Sequence, residues 1–84
     1  MKTATIYTTT YCPYCTRAKK ILKEKGIPFQ EIDVSDDDAA REKLVRDSGG
    51  AKTVPQIWIG TEHVGGCGDL EDLVSEGRLA ALLT

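Results

Sequence analysis

Hydrophobic and polar residues follow two different periods along this chain. The segment TATIYTT, residues 3–9, is rich in β-branched and aromatic residues, which is typical of a strand. From about Pro13 to Lys25 the apolar residues instead recur at helical spacing, with lysine and arginine between them. These apolar positions are Tyr14, Ala18, Ile21 and Leu22. Gly26 then marks the predicted C-terminal end of this helix.

A second strand and a second helix are predicted to follow. The segment PFQEIDV, residues 28–34, has the β-branched and aromatic content of a strand. Ser35 and Asp38 then have the spacing of a capping box in which aspartate replaces glutamate, so we expect a helix to begin there. This helix is predicted to end at Gly49-Gly50.

The last third of the chain predicts a hairpin and two short helices. VPQIWIG, residues 54–60, indicates a short strand, and TEHVGG, residues 61–66, indicates its return partner. The tight turn between them is predicted at Gly60-Thr61. Residues 67–83 carry leucine and valine at helical spacing, with a break at Gly77.

The predicted order is therefore β-α-β-α-β-β-α. A helix that joins two strands requires a parallel crossover, whereas the late hairpin adds antiparallel strands. The expected fold is α/β, a four-stranded mixed sheet flanked by helices, which is the small thioredoxin-like architecture. A length of 84 residues suits one domain, residues 1–84.

Composition narrows the function classes. The net charge of −2 gives no basic stripe of the kind that binds nucleic acid. No apolar run approaches the roughly 20 residues that a membrane helix requires, and residues 1–6 have no apolar signal-peptide region. We therefore expect a cytoplasmic monomer without nucleic-acid or membrane partners.

The stretch YTTTYCPYCTRAKK places Cys12 and Cys15 at the junction between the first strand and the first helix. An odd total of three cysteines is not typical of a disulfide-stapled secreted protein. If the helix begins near Cys12, the two cysteines lie one turn apart on one face, within the Cα separation of about 4.4–6.8 Å that a disulfide needs. The helix N-terminus favours the thiolate of Cys12, so Cys12 is predicted to be the nucleophile and Cys15 the resolving thiol.

Two other interpretations of the cysteines stay open at this point. The pair can be ordinary buried thiols, since cysteine is among the most buried residue types. Alternatively, Cys12, Cys15, His63 and Cys67 can supply four ligands to structural zinc. The His-x-x-x-Cys half is less regular than that of strong zinc signatures, and the redox interpretation is favoured. Cys67 also has two interpretations. It begins a predicted helix, which would favour its thiolate as well, but the favoured interpretation is a half-buried small residue.

Three motifs together resemble the dithiol glutaredoxins. They are CPYC after IYT, then TVPQIWI, then GGCGDL, and the similarity runs nearly end to end and is greatest to the bacterial glutaredoxin 3 type. The resemblance implies a thioredoxin fold and glutathione-dependent reduction of protein disulfides and of protein–glutathione mixed disulfides. Glutathione would be the co-substrate, with no tightly bound cofactor. The implied protein partners carry disulfides or bound glutathione, and ribonucleotide reductase is a family expectation among them.

The resemblance also implies a glutathione-binding groove. Its proline, Pro55, would be cis, and the backbone of Val54 would pair with the cysteine of glutathione like an added strand. Backbone N–H groups at the start of the third helix would hold the γ-glutamyl carboxylate, while Asp69 would pair with the substrate ammonium. The implied glutathione-binding residues are Tyr14, Thr53, Val54, Pro55, Gly66, Cys67, Gly68 and Asp69. Tyr14 has a second interpretation, as part of the packed face of the first helix.

The chain departs from the glutaredoxin pattern at one position near Cys12, where a positive charge is missing. Many glutaredoxins carry lysine where this chain has Thr9, and that lysine would contact the glycyl carboxylate of glutathione. Arg17, Lys19 and Lys20 are the candidates to replace it. Loss of an exposed charged contact is worth roughly 0–1 kcal/mol, so we expect tuning of activity rather than its loss.

Two alternative functions belong to neighbouring classes. One is a redoxin that takes electrons from thioredoxin reductase, against which the GGCGDL segment argues. The other is a glutaredoxin dimer that carries an iron–sulfur cluster, and the proline of CPYC makes this the weaker alternative.

Overall fold

The computed structural model describes all 84 residues, and its elements follow the predicted order. The strands are β1 (Ala4–Thr8), β2 (Phe29–Asp33), β3 (Gln56–Ile59) and β4 (Glu62–Gly65). The helices are α1 (Pro13–Glu24), α2 (Asp38–Asp47), α3 (Cys67–Ser75) and α4 (Leu79–Leu83). None of these helices has both the length and the apolar character needed to span a bilayer.

The four strands form one mixed sheet in the order β2-β1-β3-β4. β1 pairs in parallel with β2, as the intervening helix requires, and antiparallel with β3. In this register Tyr7, near the end of β1, lies opposite Gln56, the first residue of β3. The loop that leaves β1 and the loop that enters β3 therefore meet at the same edge of the sheet. This confirms the predicted topology and brings two of the sequence motifs together.

The sheet is packed on both faces. Successive residues of a strand point to opposite faces, so Ile6 and Tyr7 enter different clusters. The larger cluster contains Ala4, Ile6, Ala18, Leu22, Ile27, Ile57, Ile59, Cys67, Leu70 and Leu79. The smaller one, below α2, contains Tyr7, Val34 and Leu44, with Trp58 packed against it. Both α1 and α3 are thus anchored to the sheet by buried side chains.

The start of α2 differs from its prediction. The residue that caps the helix is Asp37, whose Oδ1 accepts a hydrogen bond from the Ala40 N–H at 3.0 Å. Ser35 does not cap the helix, because its Oγ accepts the backbone N–H of Thr10 at 2.7 Å. The predicted Ser35–Asp38 capping box is therefore wrong, and Ser35 instead holds the loop that precedes the cysteine pair.

Leu22 provides a test of how α1 is anchored. Its side chain is fully buried in the larger cluster, so Leu22→Ala is expected to lower the free energy of unfolding by about 2–5 kcal/mol. Leu82 is only partly buried against the same cluster, and Leu82→Ala serves as the matched control with a smaller loss. Urea unfolding of the reduced protein measures both values. Equal losses in the two variants would contradict the described packing of α1.

Candidate active site

Cys12 is the N-cap of α1. Its backbone is extended, with φ −152° and ψ 100°, and Pro13 occupies the first helical position, where a missing N–H costs nothing. The Sγ atom of Cys12 accepts a hydrogen bond from the backbone N–H of Cys15 at 3.1 Å. Cys12 is partly exposed, so this sulfur combines a backbone donor with access from solvent.

Cys15 has the opposite environment, although it lies one turn away. Its side chain is 2% exposed. Burial, followed by its side-chain hydrogen bond to Cys12, raises the pKa of the Cys15 thiol from 9.0 to about 12. Neither cysteine is in a disulfide, so the structure represents the reduced dithiol. The predicted contrast between an accessible first sulfur and a covered second sulfur is confirmed.

The loop that enters β3 lies beside Cys12. The Val54–Pro55 peptide bond is cis, as the resemblance implied. The carbonyl oxygen of Val54 lies 3.9 Å from Cys12 Sγ and accepts its S–H. The N–H of Val54 has no backbone partner in the chain. This segment therefore leaves a backbone donor unused next to the reactive sulfur.

The N-terminus of α3 contacts the same loop. Gly66 is the N-cap, and a Cβ atom added there would lie 3.6 Å from the carbonyl oxygen of Pro55. Asp69 closes this turn, because its Oδ2 accepts the N–H of Gly66 at 2.9 Å. The backbone N–H groups of residues 67–69 have no backbone acceptor in the chain. They form a helix terminus of the kind that binds anions.

The three motifs thus meet at two places, through the contact between Cys12 and Val54 and through the close approach of Gly66 to Pro55. Among the predicted glutathione contacts, Thr53, Gly68 and Asp69 are exposed. Tyr14 is 63% exposed, so it does not belong to the packed face of α1. The interpretation of Tyr14 that remains is the predicted contact to glutathione.

Cys67 is a buried residue at the start of α3. It is 4% exposed and belongs to the larger core cluster, although it is the first residue of α3. Burial, with a smaller contribution from the negative charge of Glu71, raises the pKa of this thiol. This burial agrees with the favoured interpretation of Cys67 as a small packed residue, and not with the alternative in which the helix N-terminus favours its thiolate.

The proposed zinc ligands do not come together. No group of three or more histidine, cysteine, aspartate or glutamate side chains has an arrangement that could hold a metal ion. His63 is engaged elsewhere, since its Nε2 lies 2.8 Å from Oε1 of Gln56 and its ring stacks on Trp58.

The positive charges of α1 that could compensate for Thr9 are all in ion pairs. Arg17 contacts Glu71 at 2.7 Å, Lys19 contacts Glu31 at 2.9 Å, and Lys20 lies 3.9 Å from Glu24. The hydrogen bond from Lys19, followed by one from Thr8, lowers the pKa of the Glu31 carboxyl. Each of these cations therefore already has an acidic partner.

Gln56 and His63 lead by hydrogen bonds to Thr53, a contact that the sequence did not indicate: it offered His63 only as a zinc ligand and gave Gln56 no role. The sequence did carry a signal for the position of His63. A hairpin through Gly60-Thr61 places Ile59 opposite Glu62 and Trp58 opposite His63. Gln56 follows the cis proline directly and has only 6% exposure. A buried amide next to a binding loop indicates a hydrogen-bonding role.

Substitution of Gly65 tests whether the turn before α3 needs glycine. Its φ is 115°, and an added Cβ would lie 2.3 Å from Asp69 Oδ2. Gly65→Ala should therefore destabilise the protein by about 1–3 kcal/mol. In Gly68→Ala the new methyl group meets no atom within 4 Å. Because alanine lowers the conformational entropy of the unfolded chain, this substitution should stabilise the folded protein by about 0.4–1 kcal/mol. Thermal unfolding compares the pair, and destabilisation of the two variants by the same amount would contradict the described turn.

Comparison with known proteins identifies the family. The glutaredoxin family model matches residues 4–64. A glutaredoxin of Pseudomonas aeruginosa is 52% identical over 84 residues, which are 100% of this chain and 99% of the relative. Glutaredoxin 3 of Escherichia coli is 47% identical over 83 residues, 99% of each chain. The crystal structure of a buckwheat glutaredoxin–glutathione complex superimposes with a TM-score of 0.87 at 32% identity, covering 98% of this chain and 76% of that one.

These matches agree with the site geometry, in which a solvent-accessible cysteine caps a helix one turn before a buried one. They also confirm the thioredoxin-like fold predicted from the order of elements. The chain belongs to the glutaredoxin family and is a thiol–disulfide oxidoreductase.

Proposed function

We propose that this glutaredoxin uses Cys12 as its nucleophile and Cys15 as its resolving thiol, with glutathione as the reductant. The observation that carries this assignment is the contrast within one helical turn. Cys12 Sγ is partly exposed and accepts a backbone N–H, whereas burial raises the pKa of Cys15 to about 12. Thiolate is the attacking species, and Cys12 Sγ is the sulfur of the pair that a substrate can reach.

The reaction then proceeds by thiol–disulfide exchange. The Cys12 thiolate attacks one sulfur of a protein disulfide, and the other sulfur leaves as a thiolate that takes up a proton. Cys15 loses its proton and attacks Cys12 in the mixed disulfide, which releases the reduced protein and leaves a Cys12–Cys15 disulfide. One glutathione thiolate opens this bond to give Cys12–glutathione, and a second glutathione releases Cys12 and forms glutathione disulfide. A protein–glutathione mixed disulfide needs Cys12 alone, which accepts the glutathione directly.

The glutathione groove is proposed at the meeting point of the three motifs. The free Val54 N–H and its carbonyl would pair with the cysteine residue of glutathione as an added strand, beside Thr53 and Pro55. The free N–H groups at the start of α3 would hold the γ-glutamyl carboxylate. Asp69 would receive the ammonium group. The other residues assigned to the groove are Tyr14, Gly66, Cys67 and Gly68.

Further support comes from the similarity to the buckwheat glutaredoxin that was crystallised with glutathione. Glutathione is proposed as a co-substrate that leaves after each cycle, with no tightly bound cofactor. The other partners are proteins that carry disulfides or bound glutathione. We assign the protein to the cytoplasm as a monomer made of one domain.

Serine substitutions separate the two cysteine roles. Cys12→Ser is expected to abolish turnover of both substrate types, because serine cannot form the mixed disulfide. Cys15→Ser should keep turnover of a glutathione mixed disulfide and lose reduction of a protein disulfide. The measurement is NADPH oxidation coupled through glutathione reductase.

Ser75→Ala, at the C-terminal end of α3, is the control and should keep both activities, since Ser75 belongs neither to the cysteine pair nor to the groove. Identical behaviour of Cys12→Ser and Cys15→Ser would show that the division of roles is wrong. Turnover that depends on thioredoxin reductase and ignores glutathione would instead establish a different reductant.

A further inference from the structure

A chain of polar contacts leads from the β3–β4 hairpin to the proposed glutathione groove. His63 Nε2 lies 2.8 Å from Gln56 Oε1, and Gln56 Nε2 donates to Thr53 Oγ1 at 3.4 Å. Gln56 is 6% exposed, whereas Thr53 is exposed at the mouth of the groove. The contacts therefore connect a residue outside the proposed site to a residue within it, through a buried amide.

The direction of these hydrogen bonds follows from the chemistry of the groups. An amide oxygen only accepts, so His63 must donate from Nε2, which it does both as the Nε2–H tautomer and as the imidazolium. The NH₂ group of Gln56 is then turned toward Thr53. Because the Thr53 oxygen accepts this donor, its hydroxyl proton is left to donate to a different acceptor.

The ring of His63 is held in place by aromatic contacts. It stacks on Trp58, its cross-strand partner, with ring centroids 4.6 Å apart and an interplanar angle of 30°. Trp58 in turn makes an edge contact with Tyr7 at 5.3 Å, in the cluster below α2. His63 thus presents its Nε2 to Gln56 from a fixed position, although the residue itself is exposed.

We propose that His63 is a positioning residue, which acts through Gln56 to direct the Thr53 hydroxyl as a donor to bound glutathione. Glutathione offers two carboxylates and two amide carbonyls, all of which accept such a hydrogen bond. The inference rests on the proposed function, because it needs Thr53 in the groove. It adds a residue that touches neither the substrate nor the reacting sulfurs.

His63→Phe removes the donor and keeps a ring that can stack on Trp58. The Gln56 amide is then free to rotate, so the hydroxyl of Thr53 loses its fixed direction. We expect the KM for glutathione to rise roughly two- to ten-fold, the range of one hydrogen bond, with kcat unchanged. Glu62→Gln, in the same strand, is the control and should leave both constants unchanged. A fall in kcat at unaltered KM, or no change in either, would overturn the proposal.

A double-mutant cycle with Thr53→Val distinguishes positioning from a general loss of structure. If His63 acts through the hydroxyl, His63→Phe adds nothing to the KM of the Thr53→Val variant. An undiminished effect of His63→Phe in that background, or a Thr53→Val variant with wild-type KM, would overturn the proposal while leaving the proposed oxidoreductase intact. A wild-type protein that glutathione does not reduce would overturn the proposed function and this inference together.

Discussion

The start of α1 at Cys12 determines how the two thiols differ. The hydrogen bond from the Cys15 N–H, at 3.1 Å, makes the sulfur of Cys12 the side-chain cap of α1, a position usually taken by serine, threonine or aspartate. The same helix start places Cys15 one turn further in, where burial raises the pKa of its thiol. One helix start therefore produces one accessible and one covered sulfur, as the proposed division of roles requires.

The sheet supplies the second requirement, which is a surface beside that exposed sulfur. Because β1 and β3 are antiparallel, the end of one and the start of the other lie at the same edge. The contacts between Cys12 and Val54 and between Pro55 and Gly66 follow from this arrangement. The proposed groove is thus built from loops, but the strands and the buried faces of α1 and α3 fix where these loops meet.

The sequence predicted the order of elements, the position of α1 and the hairpin, because each is governed by local spacing. The asymmetry of Cys12 and Cys15 was also predictable, since a helix start exposes its cap and buries the next turn. Three features depend on tertiary packing, and local spacing did not decide them. Ser35 accepts the Thr10 N–H rather than capping α2, which contradicts the predicted capping box. For Cys67, which is buried, and Tyr14, which is exposed, packing selects between two interpretations that the sequence left open. Local periodicity does not specify which of several polar or apolar neighbours a side chain will meet.

The contrast between the two sulfurs is tested most directly by measuring how fast each cysteine is alkylated. The reduced protein would be treated with iodoacetamide at a series of pH values, and each cysteine-containing peptide quantified by mass spectrometry. At neutral pH we expect Cys12 to be modified first, while Cys15 stays unmodified until strongly alkaline pH, because a thiol with a pKa of about 12 is almost fully protonated below it. Modification of Cys15 at neutral pH as fast as that of Cys12 would contradict the account.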